Sequence, residues 1–141
     1  MFLALAMPQQ LDNQVLGRWL TEDDDAIVEL FLCGENLCGK IVDLKEKVYN
    51  SNDAQGMAGL AKVDRENPDA NLRKRPILGL VILKGFVADG EGWRGGTIYD
   101  PDNGKTYRCK LRLIEKGKKL YVRGFVGVSL LGRTTYWRRA Y

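Results

Sequence analysis

Hydrophobic and polar residues alternate along most of the chain after Leu16, and short clusters of glycine, proline, asparagine and acidic residues interrupt the alternation. A period of two is the pattern of a β-strand that buries one face, and helical periodicity is weak in the same region. The pattern therefore predicts eight β-strands. They are Gly17–Thr21, Ala26–Cys33, Cys38–Leu44, Leu78–Val87, Trp93–Asp100, Lys105–Ile114, Lys119–Val126 and Arg133–Arg139.

Turn residues between the later strands set their expected pairing. Hairpins that turn at residues 101–104 and 116–117 place Cys109 opposite Gly96 on one side and opposite Gly124 on the other. With these turns an apolar face meets an apolar face in each hairpin, as cross-strand pairing requires. The predicted inner face includes Leu30, Ile41, Ile82, Ile98, Tyr107, Cys109, Leu111 and Val122.

The number and order of the strands indicate the fold. Eight antiparallel strands with little helix to cover a second face favour an all-β protein, an eight-stranded antiparallel up-and-down barrel, because closure removes exposed strand edges. A two-sheet sandwich is the alternative. Residues 45–77 are too many for a structureless connection, so we expect a lid-like loop, an Ω-loop or a short helix there. Residues 15–141 are expected to form this single domain, after an arm at residues 1–14.

The N-terminal arm carries a sequence typical of export. Ala4-Leu5-Ala6 is the small-x-small pattern that precedes a signal-peptidase cleavage site, although no positively charged segment comes before it. We interpret the arm as the remnant of an export signal, with a short apolar arm as the alternative. The rest of the sequence contains no uncharged apolar run long enough to span a bilayer, so a transmembrane protein is not expected.

Two of the three cysteines predict a disulfide. A two-residue turn at residues 35–36 would place Leu30 opposite Ile41 and Cys33 opposite Cys38, at a distance that a disulfide can bridge. A zinc site is the weaker interpretation, since structural zinc needs four ligands. The third cysteine is expected to be a free thiol. A disulfide indicates an oxidising compartment, so we expect a periplasmic or secreted protein.

Composition gives catalysis by side chains little support. The chain of 141 residues contains no histidine, which excludes a histidine base, triad or metal ligand from this chain. Residues 103–106 resemble part of a phosphate-binding loop, but Tyr99 stands where that loop needs its first glycine. Asp43 is the one acidic residue predicted on the inner face of a hairpin, or alternatively at the barrel rim. We expect no enzymatic activity, no cofactor and no metal.

Charge is distributed unevenly along the chain. Residues 105–141 carry a net charge of +10 and the rest of the chain carries −6, which together give the formal net charge of +4. Four residues on the outer face of the sixth and seventh strands could contact an anionic lipid or lipopolysaccharide surface, and a solvated barrel wall is the alternative. They are Arg108, Lys110, Arg112 and Arg123. Nucleic acid would suit the same stripe, but export argues against it.

Two alternative functions depend on how the inner face around Cys109 is filled. Gly96 and Gly124 leave little side-chain volume beside it, which predicts a cavity, unless these glycines only let the strands coil. An eight-stranded barrel either is filled by its side chains or holds one small ligand. One hypothesis is a binding protein for a small apolar or amphipathic molecule, whose ligand contacts the eight inner-face residues named above. The other is a filled barrel that docks to anionic envelope components through its basic outer strands.

Several ordered blocks together resemble the bacterial family of unknown function DUF2147. They are Gly17-Arg18-Trp19-Leu20-Thr21, Cys33-Gly34, Leu37-Cys38-Gly39-Lys40-Ile41, Asn67-Pro68-Asp69, Leu72-Arg73, Arg75-Pro76, Leu78-Gly79-Leu80, Gly95-Gly96, Ile98-Tyr99-Asp100-Pro101, Gly104-Lys105-Thr106-Tyr107 and Val122-Arg123-Gly124-Phe125-Val126-Gly127. The resemblance implies an exported envelope protein of Gram-negative bacteria with a lipocalin-like barrel and no established activity. Residues 47–62 look longer than the corresponding connection in that family.

One short motif also resembles the lipocalin signature. Gly17-x-Trp19 matches the glycine and tryptophan of that signature, in which the tryptophan closes the barrel bottom against an arginine of the last strand. The resemblance implies that Trp19 stacks with Arg139 or Arg138, a cation–π contact of roughly 0.5–2 kcal/mol.

Overall fold

The segments with alternating apolar residues form β-strands, and the sheet of these strands closes into a barrel. The computed structural model describes residues 14–90, 92–128 and 130–140. Each strand pairs antiparallel with the next, and the last pairs with the first, so the predicted all-β, eight-stranded up-and-down barrel is confirmed. The elements are β1 Gly17–Leu20, β2 Ala26–Cys33, β3 Asn36–Leu44, β4 Val81–Asp89, β5 Gly92–Asp100, β6 Lys105–Ile114, β7 Lys119–Phe125 and β8 Gly132–Arg139, with 3₁₀ turns at Ala70–Leu72 and Glu115–Gly117.

The register of β5, β6 and β7 agrees with the prediction from turns and apolar faces. Cys109 lies opposite Gly96 on β5 and opposite Gly124 on β7. Ile98 pairs with Tyr107, which shares a face of β6 with the buried Cys109. The Ile98 side chain therefore lies on the inner face. The turn residues and the apolar faces indicate the same register in both hairpins, so the prediction is well determined there.

The predicted register of the β2–β3 hairpin is wrong by two residues. The turn begins at Gly34, whose φ of 66° is a left-handed conformation that favours glycine. Leu30 consequently lies opposite Gly39 and not opposite Ile41. A Cβ atom at residue 39 would lie 2.9 Å from the Leu30 side chain and 2.8 Å from Leu83, so packing requires glycine at that position. A shift of two residues leaves the side chains of residues 28–33 and 36–41 on their predicted faces.

The disulfide forms in this shifted register. Cys33 lies opposite Asn36, so it reaches Cys38 diagonally and not directly across the hairpin. The two sulfurs are bonded, with a Cα–Cα distance of 5.9 Å that lies within the usual range for disulfides. Cys109 is the free cysteine and is buried.

The connection between β3 and β4 is an ordered loop. We call residues 45–80 the long segment. Two isolated antiparallel bridges, Val48 with Ala61 and Val63 with Pro76, hold it in a folded-back conformation. The predicted strand start at Leu78 is wrong by three residues, because residues 78–80 pass β3 as a loop before β4 begins.

The interior of the barrel divides into two halves. The connections after β2, β4 and β6 lie at one end, and those after β1, β3, β5 and β7 lie at the other, because consecutive strands alternate in direction. We call the end near the first set the closed half, where inward-facing side chains are packed together. They include Trp19, Leu30, Leu37, Leu83, Phe86, Cys109, Leu111 and Leu120, each at most 2% exposed. The other end is the open half.

Candidate functional site

A cavity occupies the open half. Its volume is about 1000 Å³, and it opens to solvent between the connections at that end. Its apolar floor is formed by Val28, Ile41, Ile82, Ile98, Val122 and Trp137, which face inward from six strands. This volume is at the upper end of the range for small-molecule pockets, which are mostly apolar concavities with a few polar groups.

Phe86 is buried in the closed half and packs over Gly96. A Cβ atom at Gly96 would lie 2.5 Å from the ring of Phe86, so the ring occupies the space that this glycine leaves. A Cβ atom at Gly124 would meet only ordinary contacts, the nearest at 3.6 Å from Ile98, and Gly124 lines the cavity. The two glycines beside Cys109 therefore differ, because an aromatic ring fills the space at Gly96, whereas the space at Gly124 is part of the cavity.

The predicted inner-face residues divide between the two halves. Those that line the cavity are Ile41, Ile82, Ile98, Tyr107 and Val122. Leu30, Cys109 and Leu111 lie in the closed half and contribute to its packing. Burial raises the pKa of the Cys109 thiol to about 12, so this group is protonated at neutral pH.

The mouth of the cavity is polar and carries an excess of acidic side chains. The acidic residues that line it are Glu22, Asp23, Asp25, Glu46, Asp53, Asp100 and Asp102, and the basic ones are Lys45, Lys62, Arg65 and Arg133. Desolvation raises the pKa of Asp102, the charges of Asp100 and Asp25 raise it further, and Lys62 lowers it. The mouth is therefore locally acidic in a chain with a net charge of +4.

A buried carboxylate fastens the long segment to the barrel. Asp64 is fully buried and accepts hydrogen bonds from the Tyr99 hydroxyl at 2.6 Å, from Arg75 Nε at 2.8 Å and from Asn67 Nδ2 at 2.8 Å. Desolvation and the bond to Asp64 raise the pKa of Tyr99 to about 12. Asp64 therefore connects three parts of the chain beside the cavity. Sequence reasoning missed it, because no local motif relates residues 35 positions apart.

A second polar cluster stabilises the same wall. Arg65 donates to both carboxylate oxygens of Asp53, at 2.9 and 2.8 Å, and its guanidinium lies 3.9 Å above the Tyr49 ring. The bond from Arg65 lowers the pKa of Asp53 to about 2. The Tyr49 hydroxyl donates to the Val63 carbonyl at 3.0 Å and accepts from its amide at 3.1 Å. The wall is thus held by side-chain bonds in addition to its two backbone bridges.

At the opposite end, Trp19 is covered by the last strand. The guanidinium of Arg139 lies 4.1 Å from the Trp19 ring and donates to the carbonyls of Leu16 at 3.0 Å and Gly117 at 3.2 Å. Desolvation lowers the pKa of Arg139. Arg138, the alternative partner, pairs with Asp24 at 2.6 Å. The contact over the tryptophan is therefore made by Arg139.

The basic residues predicted on the outer surface lie along the wall formed by β6 and β7. Arg112 lies 4.3 Å from the Tyr121 ring, and Arg108 lies 5.6 Å from the Phe125 ring. Arg123 donates to the Thr134 hydroxyl at 2.8 Å. The fourth, Lys110, faces Arg123 across the hairpin.

Asp43, for which the sequence predicts either the inner face or the barrel rim, does not line the cavity. An irregularity between Ile27 and Val28 sets Asp43 opposite Ile27, and Asp43 pairs with Lys47 at 3.0 Å, outside the cavity lining. Hydrogen bonds from Lys47 and the Leu44 amide lower the pKa of Asp43. Among residues 14–90, 92–128 and 130–140, no three His, Cys, Asp or Glu side chains are grouped as metal ligands.

Helices of membrane-spanning length and hydropathy are absent from the part of the chain that the structure describes. Residues 1–13, with the export pattern at Ala4-Leu5-Ala6, lie outside the described residues.

Comparison with known proteins shows the family and the fold. No curated protein matches the chain. A solved structure with the same fold is described as protein HP1028 from the human pathogen Helicobacter pylori, which belongs to the lipocalin family. Its TM-score is 0.73 with 23% sequence identity, over 90% of this chain and 83% of that one. A family profile described as an uncharacterized protein conserved in bacteria matches residues 17–139, and the chain therefore belongs to that family, DUF2147.

Proposed function

We propose that this protein is an exported, non-catalytic binding protein that holds one small apolar or amphipathic molecule in its open half. The observation that carries the proposal is the cavity of about 1000 Å³ with an apolar floor, at one end of a closed barrel. A lipocalin-like barrel of eight strands can enclose a single small ligand, whereas smaller interiors are filled by side chains.

The wall of this cavity supports the proposal because it is preorganised. Asp64 and Arg65 hold the long segment in place, and every buried side-chain nitrogen or oxygen among the described residues has a hydrogen-bond partner. A binding site that is already ordered loses less conformational entropy when the ligand binds. The ligand therefore meets a formed pocket and does not have to order a loop.

Export is supported by the disulfide between Cys33 and Cys38. Such bonds persist in oxidising compartments and are rare in the bacterial cytosol, so a periplasmic or secreted location follows as part of the proposal. The absence of catalysis is supported by the state of the reactive groups. The Cys109 thiol is buried and protonated, and the sequence contains no histidine that could act as a general base.

The competing function, a filled barrel that docks through its basic outer strands, has less support. Its premise is that side chains occupy the whole interior, whereas only the closed half is packed in this way. Arg108, Arg112 and Arg123 lie against the barrel wall, where a solvated surface explains them equally well.

A pair of matched variants tests the binding function. In Gly124→Leu the new leucine side chain enters the cavity, and in Val87→Leu a leucine side chain occupies an exposed position of β4. The neutral fluorophore phenylnaphthylamine is the probe, and its fluorescence rises in apolar surroundings. We expect the wild type and Val87→Leu to bind it with similar affinity and Gly124→Leu to bind it at least ~10-fold more weakly.

Equal binding by all three proteins would place the probe elsewhere and would contradict the proposal. Native mass spectrometry of protein isolated from the cell envelope then identifies the class of natural ligand. An excess of native over denatured mass is the expected result, and its value gives the mass of the bound molecule.

A further inference from the structure

The connection between β7 and β8 exposes a group of aliphatic side chains. The described residues of this tip, which spans residues 126–131, include Val126 at 64%, Val128 at 60%, Leu130 at 88% and Leu131 at 69% exposure. Single exposed hydrophobic residues are common on protein surfaces, but four in one turn form a contiguous patch of the kind that marks an interaction site. These side chains are largely exposed and do not belong to the buried core of the barrel.

The tip projects beyond the neighbouring acidic loop. β1 pairs with β8 through Arg138 and Arg139, and the loop after β1 contacts β8 at Tyr136, whose amide donates to Glu22. Gly132 precedes Tyr136 by four positions along β8, which corresponds to about 13 Å of extended strand. A flat surface approaching the open half would therefore meet the aliphatic tip before the acidic residues 22–25.

Basic residues lie directly behind the tip. Arg108 donates to the carbonyl of Gly127 at 3.2 Å, and Arg133 is exposed near the start of β8. Aliphatic side chains beside arginines suit the boundary of a phospholipid bilayer, where the former enter the acyl region and the latter meet phosphates. The patch is confined to one turn, which is too narrow for the apolar centre of a stable protein–protein interface.

The tip is also continuous with the mouth of the cavity, since Val126 and Leu131 contribute to both. We propose that the β7–β8 tip inserts into the surface of a bilayer that contains anionic phospholipid, and that this seats the mouth of the cavity against the bilayer. Asp100 and Asp102 at the mouth oppose anionic lipid, so insertion of the aliphatic side chains supplies most of the attraction. The docking surface is independent of the proposed ligand.

Vesicle sedimentation tests the proposal with a matched control. The vesicles contain phosphatidylethanolamine and phosphatidylglycerol. The tip variant is Val128→Ser with Leu130→Ser, two residues that do not line the cavity. The control is Val81→Ser with Leu78→Ser, an exposed valine at the start of β4 and an exposed leucine just before it. We expect the tip variant to lose at least ~10-fold in vesicle affinity and the control to bind like the wild type.

A spectroscopic variant reports insertion directly. The three native tryptophans are buried, at 0%, 6% and 5% exposure, so Val128→Trp adds a tryptophan in a distinct, exposed environment. Its emission should shift to shorter wavelength when vesicles are added. Retention of the phenylnaphthylamine probe by the tip variant in solution would show that loss of docking is separate from loss of ligand binding.

Three outcomes would overturn the docking proposal. The first is that the wild type stays in the supernatant with these vesicles, and the second is that the tip variant sediments as well as the control. Alternatively, binding that salt abolishes and that both double variants retain would assign the contact to the basic outer wall of β6 and β7 instead of the tip.

Discussion

The closed and open halves of the barrel are built from the same strands but are completed in different ways. In the closed half, glycines on the strands leave space that large side chains occupy, as Phe86 does over Gly96. In the open half, Gly124 and the branched side chains of the floor leave the centre empty. The wall there is held instead by polar contacts, above all those of Asp64.

This difference separates the packed core from the cavity within one barrel of eight strands. Tight packing of the closed half supplies the free energy that keeps the barrel folded, since buried apolar area is the main stabilising contribution. The open half can then retain a cavity, because the packing of the closed half offsets the loss of stability that a cavity causes. Substitutions that are chemically alike should therefore have different effects in the two halves.

The largest difference is expected for two aliphatic residues that face each other. Leu83 on β4 lies opposite Ile98 on β5; Leu83 is fully buried, and Ile98 lines the cavity and is only partly buried. Leu83→Ala should lower the free energy of unfolding by about 3 kcal/mol, because it leaves a void in packed surroundings. Ile98→Ala should lower it by about 1 kcal/mol, because it only widens an existing cavity. Urea denaturation followed by tryptophan fluorescence measures both, and equal losses would mean that the two halves are packed alike.

The two glycines beside Cys109 give a smaller effect. Gly96→Ala should lower the free energy of unfolding by about 2 kcal/mol, because the methyl group meets the Phe86 ring at 2.5 Å. Gly124→Ala should change it by less than ~0.5 kcal/mol, because its methyl group meets atoms only at 3.6 Å and beyond. Thermal unfolding of the two variants provides the comparison. A destabilised Gly124→Ala would show that the cavity wall tolerates no added volume.

The smallest effect is a pH dependence confined to the open half. The folded pKa of Asp53 is about 2, which is below the ordinary carboxylate value of 3.8 because Arg65 stabilises the charged form. The contribution of this pair to stability is therefore complete above pH 4 and is lost as the pH falls through about 2. Asp53→Asn should be less stable than the wild type at neutral pH, and the two proteins should converge in acid. A stability difference that persists at pH 2 would assign the effect to a contact other than the ion pair.

Much of the fold could be predicted from local sequence patterns. The alternation of apolar residues predicts the strands, and two hairpins have turns that agree with their apolar faces, which determines the partners of Cys109. The β2–β3 hairpin fails this approach, because a shift of two residues keeps each side chain on the same face. Its register depends on the positive φ of Gly34 and on the close contact of Leu30 with Gly39, neither of which appears in the pattern.

Less of the candidate site than of the fold could be predicted from the sequence. The glycines beside Cys109 predict low side-chain volume on both sides of it, but Phe86, on the strand beyond Gly96, fills one of the two spaces. The contact between Asp64 and Tyr99 joins residues that no motif connects. Which glycine leaves a cavity therefore depends on tertiary packing, and a pattern of strand faces contains no information about it.

The burial of Cys109 has a consequence for the chemistry of the other two cysteines. Thiol–disulfide exchange requires a thiolate that can reach a sulfur of the bond, and the Cys109 thiol is both enclosed and protonated, with a pKa of about 12. In an oxidising medium the folded chain is thus protected from scrambling of its Cys33–Cys38 bond, although it carries an odd thiol. Exchange of disulfide partners becomes a property of the unfolded chain alone, so its rate follows the opening of the closed half.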